Sequence, residues 1–323
     1  MARPINVLIT GGTGFLGTAF LDYVTRSTLG KNTVFYVISS GRTDFTEYQN
    51  QSVHYVTHNL MFDTFPDELD EINFDVLIHL ATSSTIGPTF DEFTKFDNIN
   101  TIDNNVLRWA TRLNVNRIIW ASSGAVYGRG VLGNPFDEKD CLTLADLHTE
   151  SAYRVGKIQS EFKLQTFCAK YNTEFCIMRL FAFSGSFLPL DVHFALGNFV
   201  RDAVNSQNIV INGSGRAVRS YLDQVDFAQI MLEFIFSKDV PCVVNVGSPK
   251  GYHLFEVAEI VRKQYQQLFG RDVTIDILNK HDDSASYYVP SVRTLEKYKN
   301  LESIVPLEMS INSMIKTYVR TLE

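Results

Sequence analysis

The chain has 323 residues, 45% of them hydrophobic and 20% charged, and a net charge of −7. That balance supplies a core for one large domain or two ordinary ones and excludes a disordered or collagen-like chain. The acidic charge argues against nucleic acid or an anionic membrane as the main partner.

Cys141, Cys168, Cys176 and Cys242 form no C-x-x-C pair, and the seven histidines fall in no H-E-x-x-H pattern. Neither a disulfide framework nor a metal site is expected, and a reducing compartment fits. No apolar run reaches the roughly 18 residues of a membrane span. The apolar run near the N-terminus is too short for a signal-peptide core. A cytoplasmic protein is the expectation.

In chain order, Ile5–Thr10 reads as a buried strand and 15–25 as a helix after a glycine turn. Strands are expected at 34–39, Val53–Thr57 (edge-like), 74–81, 117–122 and Glu174–Leu180. Helical spacing marks 100–113 and 153–171. Strands alternating with helices imply parallel βαβ units. After residue 180 the pattern changes. Segment 181–199 reads as an aromatic loop followed by a helix. Short strands are expected at Ile209–Ile211, 219–222 and Val243–Val246, and helices at 226–237 and Leu254–Phe269. The tail 295–322 is helical in parts. The expected fold is α/β: a Rossmann-type doubly wound parallel sheet over 1–180, with segments near 219–248 contributing. A smaller, interwoven C-terminal substrate lobe over 181–323 completes it.

The first strand runs into Thr10-Gly11-Gly12-Thr13-Gly14-Phe15-Leu16-Gly17. This is G-x-x-G-x-x-G between strand and helix, the context a dinucleotide fingerprint requires. Gly11 permits the turn, Gly14 lets backbone approach a pyrophosphate, and Gly17 lets helix pack on strand. A carboxylate after the second strand serves the ribose of NAD, whereas Arg suits the extra phosphate of NADP. Here Ser39-Ser40-Gly41-Arg42 precedes the first carboxylate, Asp44. NADP(H) is favoured and NAD(H) stays possible.

The fifth strand ends Ser122-Ser123-Gly124-Ala125-Val126-Tyr127-Gly128, and Tyr153-Arg154-Val155-Gly156-Lys157 follows. Tyr and Lys at i and i+4 share a helix face. A nearby ammonium lowers a phenol pKa toward working pH. With a Ser at the strand's C-terminal rim, the set suits proton transfer at a carbonyl or alcohol oxygen. Tyr127 either touches substrate or fills the turn.

Together with IHLA (78–81), RLFAFSG (179–185), RSYLDQVD (219–226) and NVGSP (245–249), these motifs give the chain its resemblance. It resembles, over nearly its full length, an extended short-chain dehydrogenase/reductase of the nucleotide-sugar epimerase/dehydratase/reductase superfamily. The resemblance implies Ser123 as carbonyl binder, Tyr153 as acid/base, and Lys157 on the nicotinamide ribose. Asn59, Leu80, Ala81 and Asn98 fall near family positions that line the cofactor. Ser83 falls in the substrate set. Arg219 matches the family's pyrophosphate clamp, and Asn198 an Asn used on the diphosphate. Ala182 stands where the family commonly has Asn. His193 is a sugar contact, a second acid, or a packed loop residue. The family Arg near the C-terminus has no clear equivalent, Lys280 and His281 being the nearest substitutes.

Family 4,6-dehydratases place an Asp-Glu pair after the strand-end hydroxyl residue, and decarboxylases a Glu; GDP-fucose synthase has a Cys at the second position. Gly124 and Ala125 stand there, and neither moves a proton. Within the resemblance a 4-keto-reductase and a 4-epimerase remain, and Ser39-Ser40-Gly41-Arg42 favours NADPH-dependent reduction of a 4-keto, 6-deoxy nucleotide-diphosphate sugar. A 4-epimerase with tightly held NAD is the alternative. A catalytically inactive NADP-binding sensor is the reading from another class. The family also implies a homodimer through the helices near 100–113 and 153–171. Val155, Ile158, Phe162 and Leu107 supply apolar contacts either there or in the sheet-facing core.

Overall fold

The computed structural model describes residues 3–27, 32–40, 52–82, 91–128, 130, 133–140, 151–190, 194–279 and 286–322. Strands β1 (Ile5–Thr10), β2 (Thr33–Ser39), β3 (Val53–Thr57), β4 (Val76–His79), β5 (Arg117–Ser123) and β6 (Glu174–Leu180) follow one another along the chain. Helices α1 (Phe15–Arg26), α2 (Glu92–Leu113) and α3 (Ala152–Tyr171) alternate with them. The strands join in the order β3-β2-β1-β4-β5-β6, and β10 (Val243–Val246) extends the sheet beyond β6. Neighbouring pairs from β3 to β6 are parallel, with Thr10 opposite both Ile38 and His79. Parallel strands need crossovers, and helices on the faces bury both sides of the sheet. That is why β4 (Val-Leu-Ile-His) is buried throughout rather than alternating. Strand order reverses between β1 and β4, the point where ligands bind in open α/β sheets.

Helix α2 begins at Glu92, well before the expected residue 100. The Asp91 carboxylate accepts from the Thr94 N–H at 3.0 Å and from the Thr94 hydroxyl at 2.7 Å. This side-chain cap holds a polar first turn that shows little apolar periodicity. Asn114 and Asn172 end α2 and α3 in the left-handed conformation that Asn tolerates. The core cluster under α2 and α3 includes Trp109, Trp120, Leu77, Ile118, Leu164 and Ile177. Leu107 belongs to it. Phe162 on α3 is instead 68% exposed, and Phe93 on α2 is 77% exposed.

The chain divides into two compact units. The first comprises Met1–Gly128, Leu142–Leu180 and Ala228–Val244, and the second Arg129–Cys141, Phe181–Phe227 and Asn245–Glu323. The second holds β7 (Ala182–Ser184), α4 (Ala195–Val204), β8 (Ile209–Ile211), β9 (Val218–Asp223), β11 (Gly251–His253), α6 (Leu254–Phe269), β12 (Ile275–Ile277), β13 (Tyr287–Tyr288) and α7 (Leu307–Leu322). Helix α5 (Gln224–Phe236) leads from one unit to the other. Strand β9 is the hub, antiparallel to β11 and parallel to β13 and β7. Helix α7 is tied to it by Ser310, whose hydroxyl donates to Asp223 Oδ2 at 2.5 Å and lies 2.8 Å from Ser184 Oγ. Burial pushes the Asp223 carboxyl up, against the pull of Ser310 and the Val225 N–H. Among the described residues no helix is long and apolar enough to cross a membrane.

Candidate active site

The turn after β1 leaves no room for a side chain at Gly11, Gly12 or Gly17. A Cβ on Gly11 would lie 2.4 Å from the Ala81 nitrogen, and Gly11 has φ +76°. A Cβ on Gly17 would lie 2.4 Å from the Gly11 oxygen, and one on Gly12 2.4 Å from Val37. Gly14 differs. It is exposed, its φ of −82° suits any residue, and its Cβ would meet nothing nearer than the Gly11 oxygen at 3.3 Å. The protein's own packing therefore demands glycine at 11, 12 and 17, whereas at Gly14 the open space fits an approaching ligand. Gly14 also caps α1 with no side-chain acceptor, and the first turn holds no acid. Free N–H groups and the positive end of the helix suit a pyrophosphate. Phe15 and Leu16 are half-buried in that first turn. Leu80 and Ala81 close over Gly11, with the Leu80 N–H donating to the Thr10 carbonyl at 2.9 Å. The residues fit a dinucleotide.

Ser39 is buried at the end of β2, where its carbonyl accepts from the His58 N–H at 2.7 Å, and Ser40 is exposed. Neither is a carboxylate. Asn59 is exposed after β3, its Oδ1 accepting from the Met61 N–H at 3.0 Å, and Asn98 is half-buried on α2. Gly41, Arg42, Asp44, Ser83, His193, Lys280 and His281 lie outside the described residues.

Ser123 is the last residue of β5, and Tyr153 and Lys157 lie on α3, whose Lys157 reaches the β5 backbone at Ala121. Ser123 Oγ accepts from the Ala125 N–H at 3.1 Å, capping the short turn 124–127. One lone pair is thereby occupied and the hydroxyl proton stays available for an incoming oxygen. Lys157 is 2% exposed and donates to the Ala121 carbonyl at 2.9 Å. Its ammonium lies 5.9 Å from the centre of the half-buried Tyr153 ring. The buried ammonium is thus held on the same helix face as the phenol.

Two buried polar clusters behind this corner escaped the sequence reading. In one, Arg179 donates to both Glu161 oxygens, at 3.0 and 2.8 Å. Burial penalises the Arg179 charge, but the Glu161 carboxylate outweighs it and pushes its pKa up. Arg179 also donates to the Tyr127 hydroxyl at 2.8 Å, and Ser122 donates to Glu161 at 2.5 Å. Tyr127 is thus buried and filling the turn. In the other, His79 bridges Thr10 Oγ1 at 2.6 Å and Asp103 Oδ1 at 3.3 Å, and lies against Trp120. Burial pushes the His79 imidazole down. The available signals were faint: Glu161 lies four residues past Lys157 on the same helix face, and Arg179 opens the segment RLFAFSG.

In the second unit, Asn198 on α4 accepts from Arg201 at 3.2 Å. Arg219 on β9 donates to the Val218 and Ser286 carbonyls and to Ser286 Oγ, and lies 5.8 Å from the Tyr288 ring. Burial lowers its pKa, opposed by Tyr221 and Tyr288. All three hydrogen-bond acceptors are neutral, and no carboxylate among the described residues forms an ion pair with this half-buried guanidinium.

Residues 7–247 match the model of the NAD dependent epimerase/dehydratase family, and the chain belongs to that family. It is 23% identical over 322 residues to UDP-glucuronic acid decarboxylase 1 of Xenopus tropicalis, covering 98% of this chain and 73% of that protein. It is also 23% identical to UDP-glucuronic acid decarboxylase 6 of Arabidopsis thaliana, over 96% of this chain and 88% of that one. Its fold matches the UDP-glucose 4-epimerase of Thermotoga maritima solved with UDP-glucose, at a TM-score of 0.80 and 18% identity, covering 99% and 100% of the two chains. The UDP-glucuronic acid 4-epimerase of Bacillus cereus solved with NAD matches at 0.81 and 15%, with the same coverage.

Proposed function

We propose that the protein is an NAD(P)-dependent oxidoreductase acting at C4 of a nucleotide-diphosphate sugar, and that it reduces a 4-keto, 6-deoxy substrate with NADPH. The corner of Ser123, Tyr153 and Lys157 carries this reading. Ser123, held by the Ala125 N–H, donates a hydrogen bond from its free hydroxyl to the C4 oxygen and keeps its proton. Tyr153 gives its phenol proton to that oxygen as the alcohol forms. Lys157, fixed on the Ala121 carbonyl, stabilises the phenolate that remains. When bound, the nicotinamide cofactor supplies the hydride.

Gly124 and Ala125 hold no acid or base beside Ser123. That separates this corner from dehydration and decarboxylation, although decarboxylases are among the relatives. The non-carboxylate end of β2 supports NADPH. The first unit would hold the dinucleotide. Arg219, a cation whose hydrogen-bond acceptors among the described residues are neutral, supports a diphosphate ligand in the second. The exposed Phe93 and Phe162 support a homodimer through α2 and α3. A 4-epimerase with retained NAD is the second reading, favoured by the NAD in the solved Bacillus cereus neighbour.

Denaturing the purified protein and identifying any released dinucleotide separates the two, alongside NADPH and NADH titration. An empty or NADP-loaded protein that prefers NADPH and oxidises it with a 4-keto-6-deoxy nucleotide sugar is expected. Tyr153→Phe is expected to lose turnover while NADPH affinity is kept. Stoichiometric retained NAD would overturn the reductase in favour of the epimerase. Failure of any keto-sugar to turn over would leave a dinucleotide-binding sensor.

A further inference from the structure

The ion pair of Glu161 and Arg179 reaches both sides of Ser123. Both side chains are buried, at 2% and 5% exposure. Ser122, the residue before Ser123, donates to Glu161 Oε1 at 2.5 Å. Tyr127, which closes the turn that Ser123 opens, accepts from Arg179 at 2.8 Å. Glu161 is also one helical step beyond Lys157 and two beyond Tyr153 on α3. The bidentate contact between Glu161 and Arg179 ties α3 to β6, at 3.0 and 2.8 Å. One charged pair thus fixes the strand before Ser123, the turn after it and the helix bearing Tyr153 and Lys157.

Such a pair is a poor device for stability alone. Taking two charges out of water costs several kcal/mol, and apolar residues of similar volume often serve a core as well. What a bidentate pair adds is direction, because a planar fork and a carboxylate meet in one geometry. We propose that Glu161 and Arg179 are positioning residues. They set the Ser123 hydroxyl against the Tyr153 phenol, with Ser122 and Tyr127 as the links. The effect on turnover rests on the C4 oxidoreductase reading, whereas the effect on geometry does not.

The test uses Tyr127→Phe, Ser122→Ala and the apolar pair Glu161→Leu with Arg179→Met, in the full-length chain. Crystal structures are expected to show Ser123 Oγ displaced relative to Tyr153 in each. For the apolar pair kcat, counted per dinucleotide-binding site, is expected to fall about a hundredfold, the scale of a 1 Å misplacement. KM for dinucleotide and sugar is expected to stay within about twofold. The single links are expected to fall by roughly tenfold. If the apolar pair does not fold, the two single variants decide. An unmoved Ser123 in the folded variants overturns the proposal, as does wild-type kcat in them. If wild-type protein turns over no keto-sugar, the reductase reading fails and the Ser123 displacement alone decides this one.

Discussion

In the turn after β1, Gly11, Gly12 and Gly17 exclude side chains, and a single Cβ on any of them would lie 2.4 Å from another atom. Behind Ser123 the packing is the reverse. Glu161, Arg179, Lys157, Ser122 and Tyr127 fill the corner with polar and charged groups, all buried and all partnered. At those three positions the turn is tight because nothing fits but backbone. The corner is rigid because several side chains each need the others. A backbone device is written in one stretch of sequence. A side-chain device is spread over β5, the 124–127 turn, α3 and β6, and fails when any one partner is removed.

The largest effect expected follows from that dependence. Arg179→Met leaves Glu161 buried without its cation, which costs about 3–5 kcal/mol. The paired change Glu161→Leu with Arg179→Met is expected to recover most of that loss, as read from urea midpoints at constant slope. If the single and paired variants are equally unstable, the corner is not held by mutual charge.

Next in size is Gly17→Ala. Its Cβ would press on the backbone of Gly11 and Gly12, which cannot rotate away, so a loss of about 1–3 kcal/mol is expected. Gly14→Ala sharpens the contrast. Only the modest loss of about 1 kcal/mol that Ala brings at a helix cap is expected in stability. Dinucleotide affinity, measured by fluorescence titration, is expected to fall at least tenfold, because the new methyl occupies space the protein leaves open. Equal losses of stability at Gly14 and Gly17 would show that the open side of the turn is not reserved for a ligand.

The same contrast decides what was legible beforehand. Strands β1, β3, β6, β8 and β10 and helix α6 occupy the expected residues, because their signals are local runs or periodicities. The glycine turn and the Tyr153–Lys157 pair were legible for the same reason. Strands β7, β11, β12 and β13 were not, being two or three residues long and defined by partners far along the chain. Helix α2 was cut short because its first turn is held by Asp91 rather than by apolar spacing. Nothing in the spacing pairs Glu161 with Arg179; the packing of α3 on β6 brings the two together.

His79 stands between the two regions and offers the smallest and most specific test. It meets Thr10 at the mouth of the glycine turn and lies against Trp120, whose indole donates to Ser160 on α3 at 2.8 Å. Burial lowers its pKa below the ordinary 6.5; Asp103 opposes the shift and the nearby Lys157 charge adds to it. In the unfolded chain the imidazole takes up a proton as pH falls through about 6.5, whereas in the folded protein it does so only at lower pH. Between those two values the unfolded state binds more protons, so stability rises with pH across the window. The contribution is complete above the unfolded pKa and is lost as pH falls toward the folded one, at up to about 1.4 kcal/mol per pH unit. His79→Gln removes this titration. Urea unfolding between pH 7 and pH 5 is therefore expected to show wild type losing stability more steeply than the variant. A wild type that instead gains stability relative to the variant as pH falls would mean that His79 is already charged in the fold, paired with Asp103. In that case the link between turn and corner would be an ion pair like that of Glu161 and Arg179, not a neutral bridge.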